Sequence, residues 1–182
     1  GMKTTLLFLS VFLSASLFGQ NVYIPDANFK EYLVGNNQIN TNGDDEIQVS
    51  EASAFDGLII CAAANISDLT GIEAFTALTS LWCNYNQLTS LDVSQNNELI
   101  DLSCSHNQLT SLDLSQNIKY LDCDNNQLTS LDVSQNTALE RIVCRDNQLT
   151  SLDVSQNTAL TYLNCRDNQL TSLDLSHNNV LT

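Results

Sequence analysis

The sequence predicts a solenoid, in which short parallel strands stack on one another and turns carry the chain from each strand to the next. The first observation is a frame, L-x-x-L-x-C-x-x-N-x-L, whose copies begin at Leu78, Leu99, Ile118, Leu139, Leu160 and, where the chain stops, Leu181. These starts lie 21, 19, 21, 21 and 21 residues apart, and a fixed period near 20 residues is the signature of a repeat architecture. The second observation is the alternation of Leu and Cys inside the frame, which is typical of a strand with one buried face. The third is the rest of each copy, which is too short for a full helix, so we expect turns or 3-10 segments there.

Residues 1–19 have the pattern of a secretory signal peptide. Gly1, in front of the methionine, is typical of a cloning scar. Lys3 supplies the positive start, an apolar core spans residues 6–17, and we expect cleavage near Gly19. Because this apolar core is shorter than the roughly 20 residues of a membrane-spanning helix, we expect no membrane insertion and a protein that is secreted or displayed on the cell surface.

Residues 20–55 differ from the repeats and predict a small helical cap. Pro25-Asp26 is a helix start, and Phe29, Tyr32 and Leu33 then share one face of an amphipathic helix. A second short helix is expected over residues 51–55. A solenoid needs such a cap because its terminal repeat otherwise exposes apolar surface and an unpaired strand edge.

The segment between these helices, NTNGDDEIQVSE, resembles an EF-hand calcium loop. Oxygen-bearing side chains stand at loop positions one, three and five, and a carboxylate stands at position twelve. The set that the resemblance implies as calcium ligands is Asn40, Asn42, Asp44, Glu46 and Glu51. The loop departs from the pattern at position one, where Asn40 lacks a charge, and at position six, where Asp45 replaces the usual Gly. Two hypotheses remain open: a cap without metal, and a cap that binds calcium. No other cofactor is expected.

Residues 56–182 form the predicted array of about six repeats, and Ile59, Cys61 and Ile66 mark the first, transitional copy. The frame resembles that of the leucine-rich repeat family, with Cys where Leu is more common. Together with the cap it is similar to bacterial internalin-like proteins. The resemblance implies an α/β solenoid with short parallel strands on the concave face, turns or 3-10 segments on the convex face, and a small helical N-terminal cap. Because nothing after Asn178 resembles a cap, we expect a fragment of a longer protein or self-association through this end.

Two polar columns recur along the array. The asparagine of the frame is expected to satisfy backbone groups of neighbouring turns where the chain leaves each strand. This column is Asn86, Asn107, Asn126, Asn147 and Asn168. An aspartate in each SLD segment is expected to accept hydrogen bonds from backbone N–H groups that open a turn, and the alternative is a ladder of cation ligands. These residues are Asp92, Asp113, Asp132, Asp153 and Asp174.

The six cysteines occupy one position of the repeat: Cys61, Cys83, Cys104, Cys123, Cys144 and Cys165. An even number of cysteines in a secreted chain suggests disulfides. Neighbouring strands lie about 4.8 Å apart, but side chains in register on parallel strands point the same way and would form a strained bridge. We therefore expect buried free thiols, which pack as small hydrophobic groups.

Positions that vary from copy to copy predict the binding surface. The frame itself hardly changes, whereas the outward-facing strand positions and the two positions after each Cys do change. These positions carry the single Trp and all three Arg, residue types that are enriched at binding hot spots. The candidate ligand-binding residues are Trp82, Tyr85, Asp101, His106, Tyr120, Asp122, Arg141, Arg145, Tyr162 and Arg166. The alternative is that a solvated scaffold varies without function.

Charge and motif content narrow the function. The formal net charge of −15 repels nucleic acid at long range. His106 and His177 are the only histidines, and no Ser/His/Asp set, phosphate loop or histidine metal cluster is present, so we expect no enzyme. We predict a binding module that recognises a protein or glycan through its concave face. The alternative is a structural spacer or adhesin stalk that presents another domain.

Overall fold

The computed structural model describes residues 19–182, so the predicted signal peptide lies outside the described residues except for Gly19. The described chain forms a solenoid with two short helices at its start. The elements, in chain order, are α1 (Ala27–Val34), α2 (Val49–Ala54), β1 (Leu58–Ile60), a 3-10 helix (Ile72–Ala74), β2 (Ser80–Trp82), β3 (Ser90–Asp92), β4 (Asp101–Ser103), β5 (Ser111–Asp113), β6 (Tyr120–Asp122), β7 (Arg141–Val143) and β8 (Tyr162–Asn164).

Six of these strands form one parallel sheet with the order β1-β2-β4-β6-β7-β8. The strands pair in register, so that Leu81 lies beside Leu102 and Leu121 lies beside Ile142. These middle residues are buried and face the core, whereas the first and third residues of each strand face the other way because side chains alternate along a strand. The outward side of this sheet is called the concave face below. The predicted parallel solenoid is therefore confirmed.

The cysteine ladder lies along the inner side of the sheet, directly after the strands. All six cysteines are free thiols; the first five are buried and Cys165 is half-buried. Burial raises the pKa of the Cys61 and Cys144 thiols to about 12 and that of Cys123 well above its usual value. The thiols are therefore protonated hydrophobic groups at neutral pH. The prediction of buried free thiols holds for five of the six.

The frame asparagines bind the backbone of two repeats at once. The Asn126 Nδ2 group donates to the carbonyl oxygens of Cys104 and Cys123, both at 3.1 Å, and its Oδ1 accepts from Leu109 N at 2.9 Å. The other four frame asparagines repeat this pattern in their own copies. A buried amide left without such a partner costs about 1–3 kcal/mol. The ladder therefore fixes the point where each turn leaves the sheet.

The convex side differs in part from the expectation of turns and 3-10 segments. The 3-10 helix lies in the transitional copy, but β3 and β5 pair in parallel to form a two-stranded sheet. In the SLD segments, Asp132 Oδ1 accepts from Ser134 N at 2.9 Å, and three other copies have the same turn. The turn role expected for the aspartates is thus observed in four of the five copies.

A second asparagine column, which the repeat frame did not predict, lies on the convex side. Its members are Asn96, Asn136, Asn157 and Asn178. Each is buried and donates to a backbone carbonyl of the preceding copy, as Asn157 does to Asn136 O at 2.8 Å. In the copy shortened by two residues, Ser115 takes this buried place, and Asn136 donates to its carbonyl oxygen. The sequence signal was the recurring S-x-N segment, which reads SQN in four copies and SHN at residues 176–178.

The N-terminal helices pack on the first, transitional copy of the array. Asp26 caps α1 by accepting from Asn28 N and Phe29 N, both at 3.0 Å. The second carboxylate oxygen of Asp26 accepts from Ser67 N and Ser67 Oγ, both at 2.8 Å, and the Tyr32 hydroxyl accepts from Ile60 N at 2.9 Å. The second helix begins at Val49 and ends at Ala54, two residues earlier than expected at its start, because Gln48 and Glu51 form a capping box.

Candidate functional site

The concave face carries a row of exposed aromatic side chains. Trp82, Tyr120 and Tyr162 stand at the outward positions of β2, β6 and β8, with 38%, 41% and 39% of their surface exposed. Large aromatic groups on a rigid sheet offer contact area at a small cost in side-chain entropy. The sheet therefore presents preformed apolar area at three separate points.

A depression of about 330 Å³ lies in the first half of this face. Its cause is Ser103 on β4, whose small side chain stands in register between Trp82 on β2 and Asp122 on β6. Adjacent strands lie about 4.8 Å apart, so the taller neighbours form walls on either side of the serine. Asp101 and Tyr120 form the wall two residues back along the strands. The remaining lining residues are Asn84, Leu121 and Arg141.

Hydrogen bonds fix two of the aromatic walls. The Trp82 Nε1 group donates to Asp101 Oδ2 at 3.0 Å, and the Tyr120 hydroxyl donates to Glu140 Oε2 at 3.1 Å. The hydrogen bond to Glu140 and the charge of this carboxylate raise the pKa of the Tyr120 hydroxyl. Both rings are thus oriented before any partner arrives, which reduces the entropy lost on binding.

Two carboxylates, Asp122 and Asp124, follow one another at the centre of the face. Burial, together with the negative charge of Asp124, raises the pKa of the Asp122 carboxyl. Asp124 is buried and accepts from Arg145 Nε at 2.9 Å, and Arg145 also lies 3.6 Å from Asp146. Arg145 is therefore neutralised within the protein, whereas the charge of Asp122 is only partly compensated.

The second half of the face is held by a different contact. The Arg141 guanidinium lies over the Tyr162 ring, 4.6 Å from its centre. Such cation–π contacts stabilise by about 0.5–1 kcal/mol at exposed sites.

The remaining predicted residues do not lie on the strands. Tyr85 and His106 occupy the turns just beyond β2 and β4, with left-handed backbone at φ values of 58° and 52°. Arg166, beyond β8, is exposed and paired with Asp167 at 2.7 Å. The structure thus brings five of the predicted residues together around the depression: Trp82, Asp101, Tyr120, Asp122 and Arg141. Four others lie in the turns that follow the carboxyl ends of the strands: Tyr85, His106, Arg145 and Arg166.

Sequence reasoning missed three residues that shape the site. Ser103 forms the floor of the depression, Glu140 orients Tyr120, and Asp124 neutralises Arg145. The sequence did contain a signal for Ser103. Among the residues that precede the cysteine in each copy, it is the small side chain between Trp82 and Asp122. Glu140 lies outside the variable columns, and nothing in its spacing predicted the contact.

The predicted calcium loop is closed by its own hydrogen bonds. The Glu51 carboxylate accepts from Thr41 N at 2.7 Å, Thr41 Oγ at 2.9 Å and Gln48 N at 3.0 Å. The Asn40 Nδ2 group donates to the backbone carbonyl oxygen of Asp44 at 2.7 Å, and Asn42 Nδ2 donates to Asp44 Oδ2 at 2.9 Å. The last predicted ligand, Glu46, binds Lys30 at 2.6 Å. Calcium binding stays a prediction.

No group of three or more His, Cys, Asp and Glu side chains in residues 19–182 is arranged to hold a metal ion. Within the same residues, no helix has both the length and the apolar character needed to cross a membrane. His106 is the histidine nearest in sequence to a thiol, and the thiol concerned, Cys104, is buried in the ladder.

Comparisons with known proteins agree with the fold. No protein-family model matches the sequence. Over 77 residues, 42% of its length, the chain is 42% identical to Internalin J of Listeria monocytogenes serotype 4b (strain F2365), and these residues make up 8% of that protein. Over 90% of its length it is similar to a solved structure, the functional domain of InlJ from Listeria monocytogenes, which includes a cysteine ladder, with a TM-score of 0.80 and 39% identity. The chain spans 37% of that solved domain, well under half of either protein.

Proposed function

We propose that this chain, an internalin-like leucine-rich repeat protein, binds a protein partner through its concave face. The observation that carries the proposal is the preformed depression over Ser103, where Trp82 and Tyr120 are oriented by hydrogen bonds to carboxylates. Binding energy at interfaces concentrates in a few aromatic and arginine residues, and this face presents those residue types on a rigid sheet. The repeat frame and the likeness to the InlJ domain support a binding role rather than catalysis.

A protein partner suits the face better than a small ligand does. The aromatic groups at Trp82, Tyr120 and Tyr162 are distributed over β2 to β8, a span of four strand spacings or about 19 Å. A single sugar or small molecule reaches only part of that distance, whereas a protein surface can contact all three. A glycan remains the alternative ligand, and a spacer role is the alternative function.

We also propose that the chain acts outside the cell, secreted or displayed at the surface. This rests on the signal-like residues 1–19, with Lys3 before a short apolar core. Mass spectrometry of the protein recovered from the culture medium or the cell surface identifies its N-terminus and so tests this localisation. A mature N-terminus near Gly19 is expected, and an intact N-terminus on intracellular protein would contradict it.

Paired variants of the two faces test the binding proposal. A partner captured by the immobilised wild-type protein is titrated against Trp82→Ala with Tyr162→Ala, and against a matched pair on the convex side, Gln95→Ala with Gln135→Ala. All four side chains are exposed, so each variant should melt close to the wild type. Loss of hot-spot aromatics should weaken binding by about 30-fold or more.

The convex pair should bind as the wild type does. Equal binding by both pairs would contradict a concave interface and favour another surface of the chain. If no partner binds saturably and the chain still positions a domain that is fused to it, the result supports the spacer hypothesis.

A further inference from the structure

We infer that the depression over Ser103 receives a lysine or arginine side chain of the protein partner. The inference deepens the proposed function and rests on it, because it names the chemistry of one contact on the same face. The walls of the depression combine two aromatic rings with two carboxylates, Asp101 and Asp122, and one guanidinium, that of Arg141. A long side chain that carries a positive charge at its tip matches both kinds of wall.

The register of three strands defines the available space. Trp82 and Asp122 flank Ser103 on either side, and each strand spacing is about 4.8 Å. The gap between these two walls therefore spans two spacings, about 9.6 Å between backbones. One extended side chain fits into such a gap, with its methylene groups against the tryptophan ring and its charged end near the carboxylate.

The charges around the gap favour a cation. Asp101 and Asp122 contribute two carboxylates against the single guanidinium of Arg141, which also contacts the Tyr162 ring, so the lining keeps a net negative charge. Asp122 is half-buried and is adjacent to buried Asp124, whose own charge is already paired with Arg145. Burial and this neighbouring charge raise the pKa of Asp122. A cation bound beside Asp122 would relieve the repulsion that the folded protein otherwise carries.

The aromatic walls add to the same preference. A cation within about 6 Å of the face of a tryptophan or tyrosine ring is attracted by the ring electrons, most strongly to tryptophan. The net charge of −15 also attracts basic proteins over long distances and speeds their encounter. An uncharged sugar could stack on Trp82, but it would add nothing to the partial compensation of the Asp122 charge by Arg141.

The probe for the experiment is a blocked pentapeptide, Gly-Ser-Lys-Ser-Gly, and its twin carries norleucine in place of lysine. Trp82 is the only tryptophan of the chain, so its fluorescence reports directly on the wall of the depression. Saturable quenching by the lysine peptide is expected, and the norleucine peptide should bind at least about tenfold more weakly, which corresponds to about 1.4 kcal/mol.

Three variants separate shape from charge. Ser103→Met fills the depression without changing charge, and Asp122→Asn removes the charge without adding bulk. Each of these two substitutions should weaken the binding of the lysine peptide by about tenfold. Glu98→Gln, at an exposed carboxylate between β3 and β4, removes the same charge elsewhere and should leave binding within about twofold. Melting curves confirm that all three variants remain folded.

Several outcomes would overturn the inference. Equal quenching by the lysine and norleucine peptides would show an apolar site. Unchanged affinity in Ser103→Met would show general attraction to an acidic surface. Quenching by a neutral disaccharide but not by the lysine peptide would assign the depression to a glycan. If the peptide fails to bind while the captured partner still depends on Trp82 and Tyr162, the inference fails and the proposed function stands.

Discussion

The rings of Tyr85 and His106 stack on one another, with centres 4.3 Å apart and planes 9° from parallel. Both residues have left-handed backbone conformations, which bulky residues adopt at a cost of about 1–3 kcal/mol. The equivalent positions of the next three copies hold Asn125, Asp146 and Asp167, also at positive φ. Asn and Asp tolerate this conformation well. The first copy holds Ala63 at the same position, also at positive φ, so Tyr85 and His106 are the two aromatic residues in a column of smaller side chains.

Replacing Tyr85 by Asn should stabilise the fold by about 1 kcal/mol, because relief of backbone strain exceeds the loss of an exposed ring stack. Partner binding should weaken in the same variant if the ring is held there for contact. Urea unfolding and a binding titration measure the two effects. His106→Asn is the matched control and should gain less stability, since His enters this conformation more readily than Tyr. A loss of stability in Tyr85→Asn would show that the ring stack holds the turn.

The repeat frame made the sheet, the inward Cys and Asn columns and the polar turn aspartates predictable, because each depends on one residue in a fixed position of a periodic chain. Cys123 and Asn126 are examples: their burial follows from period alone. Contacts between copies of different sequence were not predictable. The bond from Tyr120 to Glu140 and the depression over Ser103 depend on which residues meet across strands, and that requires the register. The pairing of β3 with β5 was also missed, because it forms on the side expected to contain turns.

Asp26→Asn should destabilise the protein by about 1–3 kcal/mol, because an amide nitrogen would replace the oxygen that accepts from Ser67 and Asp68. Burial alone would raise the pKa of Asp26, but the hydrogen bonds from Ser67, Phe29 and Asp68 outweigh it and lower the pKa below its usual 3.8. The stabilisation by Asp26 is therefore present above pH 3.8 and lost as the pH falls through the lowered pKa.

Urea unfolding between about pH 5 and pH 2.5 measures this contribution. The wild type should lose stability more steeply with acid than Asp26→Asn does. Asp56→Asn, at an exposed carboxylate, is the control and should keep the wild-type slope. Parallel slopes for wild type and Asp26→Asn would mean that this carboxylate does not link the helix to the array.

The cysteine ladder should resist thiol reagents in the native state. Cys165, the half-buried thiol, should react first, and the five buried thiols should react only after denaturation, because burial keeps them protonated and inaccessible. Mass spectrometry after timed labelling measures the order. Cys123→Ser should destabilise by about 1–3 kcal/mol, since a hydroxyl enters an apolar site, and Cys165→Ser should cost less. Intact Cys–Cys pairs without reductant would contradict free thiols.

The two hypotheses for the loop that contains Glu51, with and without bound calcium, predict different melting temperatures for the wild type and Glu51→Gln. The geometry favours a loop closed by hydrogen bonds, in which Glu51→Gln lowers the melting temperature equally with and without calcium, because the bonds to Thr41 and Gln48 weaken. If the loop binds calcium, millimolar calcium should raise the melting temperature of the wild type alone. Thermal unfolding of both proteins, with magnesium as the ionic control, separates the two. A rise specific to calcium and absent in Glu51→Gln would establish the metal site.

Binding through the concave face is the central claim, and Trp82 permits a direct measurement of it. Incorporation of 5-fluorotryptophan gives the chain a single fluorine signal, because Trp82 is its only tryptophan, and 38% of this side chain is exposed on the face. Fluorine NMR is recorded while a captured partner is added to saturation. The signal should shift or broaden in proportion to the bound fraction, since the partner covers the ring. An unchanged signal at full saturation would contradict a binding site on this face.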